Sequence, residues 1–248
     1  MFRQDRLSNI LFLDIETVSD KPSLGELSER KQDLWQKKSK WILRTIENPT
    51  FEEYADAYTD KAAIFAEFGK IVCISTGFLY TDPNTKKMGL RIKSFSGKDE
   101  SAILEDFKKL VEAHFNDPRK NWLCGHNIRE FDIPYICRRM IVNNILLPDI
   151  LQIEGKKPWE LKFILDTLEL WRFGDYKNFT SLDLLSELLG IETPKDDIDG
   201  SMVGKVFWEE NDLERIVKYC NKDVVTLSKV FLKLNQLTLP DEDQIFIV

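Results

Sequence analysis

Three short stretches carry the residues that could do chemistry. "ILFLDIETVSD" runs four apolar residues into Asp14 and then Glu16; "HNIREFDIPYI" sets Asp132 among Phe131, Ile133, Pro134 and Tyr135; "IVKYCNKDVVTL" holds Tyr219 and Asp223. A carboxylate against an apolar wall costs free energy unless something pairs with it. Side chains two apart on a strand share a face, so Asp14 and Glu16 also repel each other. Tyr219 and Asp223, four apart, stack on one face of a helix. Each stretch alone also has a bland reading. Acidic pairs arise by chance in a chain with 42 Asp and Glu, Asp132 could cap a helix, and the Tyr–Asp pair could be a satisfied hydrogen bond.

Taken together, the four acids form the donor set that two hard divalent cations require. Mg²⁺ prefers oxygen ligands and keeps waters that phosphate oxygens can replace. Two such ions, roughly 4 Å apart, clamp the attacking and leaving oxygens of an in-line phosphoryl displacement.

Other elements must bring these stretches together. Residues 9–14 read as a first strand ended by the acids. "KIVCISTGFLY" (70–80) and "MGLRIKSF" (88–95) form a hairpin around the turn residues Asp82, Pro83 and Asn84. "DESAILEDFKKLVEAHF" has helical periodicity with Asp99 or Ser101 at its cap, and residues 121–127 form a short strand. A helix with Pro134 in its first turn follows. Residues 161–170 give a fifth strand, "SLDLLSELLG" a helix stopped by Gly190, and 211–236 a long amphipathic helix. The expected fold class is α/β, with a mixed five-stranded sheet flanked by helices in one domain over 1–248.

Residues 19–68 stand outside that scheme, as a helical insert between the first two strands. Its "KQDLWQKKSKWILR" places Trp35 and Trp41 among five bases and one acid. Either the tryptophans pack the insert on the body, or the segment is a basic aromatic lid over a nucleic-acid strand.

Composition narrows the class. At 248 residues, 43% hydrophobic and 31% charged, the chain reads as a soluble globular enzyme. No apolar run approaches a membrane span and "MFRQDRLSN" lacks a signal-peptide core. Cys73, Cys124, Cys137 and Cys220 show no metal spacing and are expected to be buried reduced thiols of a cytoplasmic protein. A net charge of −7 argues against non-specific coating of nucleic acid, but not against a cleft that holds a strand end.

"LDIET", "HNIREFDIPYI" and "YCNKD" resemble, in order, the three motifs of the DEDD 3′–5′ exonuclease superfamily, and Tyr219 before the last acid matches its DEDDy branch. Their wording is most like the proofreading domain of family B DNA polymerases, in the form of stand-alone bacterial exonucleases. The resemblance spans about residues 9–230 outside the insert. It implies a ribonuclease H-like fold, two Mg²⁺ or Mn²⁺ ions on Asp14, Glu16, Asp132 and Asp223, and Tyr219 orienting the attacking water. It also implies that Asn127, Phe131 and Thr17 contact the terminal nucleotides. His126 stands where those domains have tyrosine and is expected to be a structural imidazole rather than a general base. Asp196, Asp197 and Asp199 could add an outer acid or form a solvated loop. The implied substrate is single-stranded nucleic acid, DNA before RNA, with 5′-mononucleotides released. An exoribonuclease and an inactive nucleic-acid-binding relative are the alternatives. Replication or repair partners are conceivable through "QLTLP" (236–240) or "QIFIV", which could also be a frayed helix end and a packed tail.

Overall fold

A computed structural model describes residues 2, 4–192 and 197–248. The first strand, β1 (Ile10–Ser19), does not stop at the acids but runs five residues past Asp14. It pairs antiparallel with β2 (Gly69–Thr81), and the register shifts between Glu16 and Thr17. Between these strands lie α1 (Glu29–Ser39) and α2 (Phe51–Lys61). Their starts follow from local chemistry: the Ser28 hydroxyl accepts from the Lys31 amide, and Thr50 and Glu53 cap α2 reciprocally.

The hairpin from β2 to β3 (Met88–Ser96) turns where Asp82 accepts from the amides of Asn84 and Thr85, both at 2.8 Å. Next come α3 (Glu100–His114), capped by Asp99, then β4 (Trp122–Gly125) and α4 (Asp132–Val142). β5 is only Ile164–Asp166, and α5 (Thr167–Arg172) begins at once. The expected strand over 161–170 therefore ends four residues early, because Asp166 caps a helix by accepting from the Leu168 amide at 3.0 Å. α6 (Leu182–Leu188) ends before Gly190, whose φ of 62° is left-handed. The short α7 (Val203–Lys205) leads to α8 (Leu213–Leu234).

The sheet has six strands, not five, in the order β5-β4-β1-β2-β3-β6. The sixth, β6 (Ile245–Ile247), is the apolar tail laid parallel along β3. A three-residue run carries too little periodicity to place it in this sheet; the edge of β3 makes it a strand. Just upstream, Leu237 and Leu239 pack on the sheet's α8 face.

Alternation along β1 divides the core. Leu11, Leu13 and Ile15 face α3 and α4, while Ile10 and Phe12 face α8 through Val224, Leu227 and Phe231. Asp14 and Glu16 share the parity of Ile10 and Phe12, which turns them toward α8. The insert has a core of its own around fully buried Trp35, which stacks edge-on with Tyr58 and Phe68. Trp41 instead stays 57% exposed. The Ala63 carbonyl ties the insert to β1 and α4, accepting from Thr17 Oγ1 and from the Tyr135 hydroxyl, both at 2.9 Å. Gly69 permits that approach, since any side chain there would strike the Tyr135 hydroxyl.

Candidate active site

β1, α4 and α8 bring the four predicted acids to one place. Asp132, first residue of α4, lies 3% exposed and accepts from the Ile15 amide at 3.2 Å, which anchors it to β1 between Asp14 and Glu16. Glu16 is 7% exposed. From α8, Cys220 reaches Asp14: its thiol lies 3.5 Å from both the Asp14 carbonyl and Oδ2. Ligand atoms of Asp14, Glu16 and Cys220 fall within 4.8 Å of one another.

The electrostatics record how closely the acids gather. Burial pushes the Asp14 carboxyl well above the usual range, and the charges of Asp223, Asp132 and Glu16 push it further. Glu16 is raised by burial and then by Asp223. Asp132 is pushed up to about 7 by burial, against the pull of the Ile15 amide. Tyr219 is held far above the ordinary phenol value by burial and then by Asp223, Glu16 and Asp14, with Asp223 also hydrogen-bonded to it. At neutral pH it is therefore a phenol, able to orient a water but not to take its proton.

The loop from β4 to α4 carries the predicted nucleotide contacts. Asn127 adopts a left-handed φ of 59°. Its amide donates to Asp166 Oδ1 at 2.9 Å, and the Arg129 amide donates to Oδ2 at 3.2 Å. Phe131, half-buried, tilts against Tyr135. Thr17 lies one residue beyond Glu16, with its hydroxyl engaged in anchoring the insert. His126 is wedged between Thr167 Oγ1 at 2.9 Å and the Thr180 carbonyl at 2.8 Å. A carbonyl only accepts, so Nε2 carries the proton; burial lowers the ring's affinity for a second. His126 thus fixes the loop as a neutral imidazole.

Two residues escaped the motif reading. Asp166, 4% exposed, is a further acid beside the site, and its charge acts on Asp132. Its signal was present: like Asp14, it closes an apolar run. Cys220 sits under the acids beside Cys73, whose thiol it hydrogen-bonds. Asp197 pairs with Arg215 at 2.8 Å and Asp199 binds the Ser201 amide, both in exposed turns. Asp196 lies outside the described residues.

A mixed sheet with carboxylates gathered on its central strand, a facing helix that supplies tyrosine and aspartate, and a fourth acid on a helix start make an α/β domain with a buried acidic cluster. Residues 64–241 match the profile of a family described as predicted 3′–5′ exonucleases related to the exonuclease domain of PolB, and the chain belongs to that family. Among solved structures it is similar to the family B DNA polymerase from the hyperthermophilic archaeon Pyrobaculum calidifontis, with 15% identity and a TM-score of 0.52 over 90% of this chain and 24% of the polymerase. The fold is thus ribonuclease H-like, and the chain spans about a quarter of that polymerase's length. No curated protein sequence matches it.

Proposed function

We propose that the chain is a metal-dependent 3′–5′ exonuclease that acts on single-stranded DNA, releasing 5′-mononucleotides. The observation that carries this reading is the convergence of Asp14, Glu16, Asp132 and Asp223 with Tyr219 in one partly dehydrated site. The donor set fits divalent cations: Asp14 and Glu16, whose proton affinity the charges of Asp223 and Asp132 raise, are relieved when positive charge lies among the four oxygen acids. Asp14, Glu16, Asp132 and Asp223 would hold two Mg²⁺ or Mn²⁺ ions, which supply a nucleophilic water and neutralise charge on the phosphoryl oxygens.

The chain's own residues do the rest. Tyr219, protonated and bound to Asp223, orients the water for attack on the last phosphodiester. The P–O bond to the penultimate nucleotide's 3′ oxygen breaks, and that oxygen takes a proton. Asn127 and Phe131, on the loop that Asp166 and His126 brace, hold the terminal nucleotide.

Single-stranded DNA and RNA labelled at either end, incubated with Mg²⁺, Mn²⁺, Ca²⁺ or EDTA, test the reading. Stepwise shortening from the 3′ end with Mg²⁺ or Mn²⁺, abolished by EDTA, is expected, with DNA the faster substrate. Internal cuts of a circular single strand would count against it, and faster loss of RNA would make the enzyme an exoribonuclease.

A further inference from the structure

The segment "WRFGDYKNFT" (171–180) exposes three aromatic rings within seven residues: Phe173 at 90%, Tyr176 at 76% and Phe179 at 63%. Large aromatics are ordinarily among the more buried residues, so three bare rings on one loop need a partner to explain them. Phe173 also holds a left-handed backbone, φ 45°, where glycine or asparagine would sit without strain.

The loop is joined to the candidate active site. Phe179 meets the His126 ring edge-on at 6.2 Å, and the Thr180 carbonyl accepts from His126. His126 in turn precedes Asn127, the proposed contact to the terminal nucleotide. The loop also carries two cations, Arg172 and Lys177, against one acid, Asp175, in a chain of net charge −7. Asp175 turns inward on its own loop, accepting from the Lys177 amide at 3.0 Å. Arg172 lies near enough to act on the His126 charge, and its Nε is a buried donor with no partner among the described residues.

We propose that this loop is the track for the single strand upstream of its 3′ end: bases stack on Phe173, Tyr176 and Phe179, while Arg172 and Lys177 supply positive charge to the phosphates. The inference rests on the exonuclease reading for its choice of nucleic acid. Every base has a stacking face, so such a track holds any sequence. It also separates two tasks: acids at the strand end perform the cut, and aromatic rings away from them supply the grip. A protein partner would use bare rings too, and exposed Leu184 and Leu188 on α6 lie close in sequence. The cations and the direct link to the Asn127 loop favour a polyanion that ends in the site.

Fluorescence anisotropy of a labelled oligothymidylate and a labelled oligouridylate, with Ca²⁺ to permit binding without turnover, tests the track. Phe173→Ala with Tyr176→Ala should weaken binding about 5- to 150-fold per lost stacking contact. Phe173→Trp with Tyr176→Phe should bind as wild type, with the fluorescence of the introduced tryptophan quenched by the oligonucleotide. On a dinucleotide the alanine pair should lose less of kcat/KM than on the long oligonucleotide, because fewer bases are available to stack on the rings. Both rings are exposed, so thermal melts of the variants should match wild type. Equal affinity of wild type and the alanine pair, or no quenching of the introduced tryptophan in the conservative variant, would overturn the track. Loss of binding in the alanine pair, alongside no 3′ shortening by wild type, would instead uphold the track and overturn the exonuclease reading.

Discussion

Replacing Asp132 by asparagine isolates the cost of burying a carboxylate in the site without metal. The substituted amide keeps an Oδ1 to accept from the Ile15 amide, so the helix start should stay docked on β1. What disappears is a carboxyl raised from 3.8 to about 7, chiefly by burial. The sign follows from proton linkage. Well below pH 3.8 both folded and unfolded chains hold the proton and nothing is lost. As pH rises, the unfolded chain ionises first, so the folded form loses stability until its own carboxyl ionises near 7. A shift of about 3 units corresponds to about 4 kcal/mol at full development, an upper bound because neighbouring acids readjust. Between pH 5 and pH 8 the advantage of Asp132→Asn should therefore grow by about 2 kcal/mol, or about 4–8 °C in Tm for a chain of this size. Melts by circular dichroism in EDTA at the two pH values measure it. With Mg²⁺ the order should narrow or reverse, since a ligand that binds only the native state stabilises wild type by mass action. A variant melting below wild type in EDTA at pH 8, or a gap equal at both pH values, would refute the reasoning and make Asp132 a structural cap.

Tyr219→Phe should lower kcat by about 10²–10⁴-fold while Mg²⁺ still raises Tm as in wild type, because the hydroxyl orients water and the ring does the packing; unchanged turnover would remove Tyr219 from the mechanism. Glu100→Gln tests the support rather than the site. Glu100 accepts from Arg139 Nη2 at 2.6 Å, from the Ile71 amide at 2.7 Å and from Asn143 at 2.9 Å, locking α3, α4 and β2. Leaving the buried Arg139 without its countercharge should cost about 3 kcal/mol and lower Tm by about 6–12 °C, with activity per folded molecule unchanged; a Tm within about a degree of wild type would mean that the pair is neutral.

The sequence by itself determined which residues can do chemistry and how neighbours along one element face. Alternation on β1 puts Asp14 and Glu16 on one side, and the period of α8 puts Tyr219 beside Asp223; both are local geometry that one segment decides alone. The capping residues Asp99, Ser28 and Thr50 act on the same short range. The tertiary structure decided everything that joins distant segments. Asp132 meets β1 through a hydrogen bond spanning 117 residues, and Asp166 reaches Asn127 across 39. No periodicity within either stretch encodes such a meeting. β1 outruns its acids because β2 stays paired with it as far as Ser19 through the register shift. Trp35 and Trp41 sit six residues apart in one composition, yet one fills the insert's core and the other faces solvent. Burial is a property of what packs against a side chain, and that is settled only when the whole chain has closed around it.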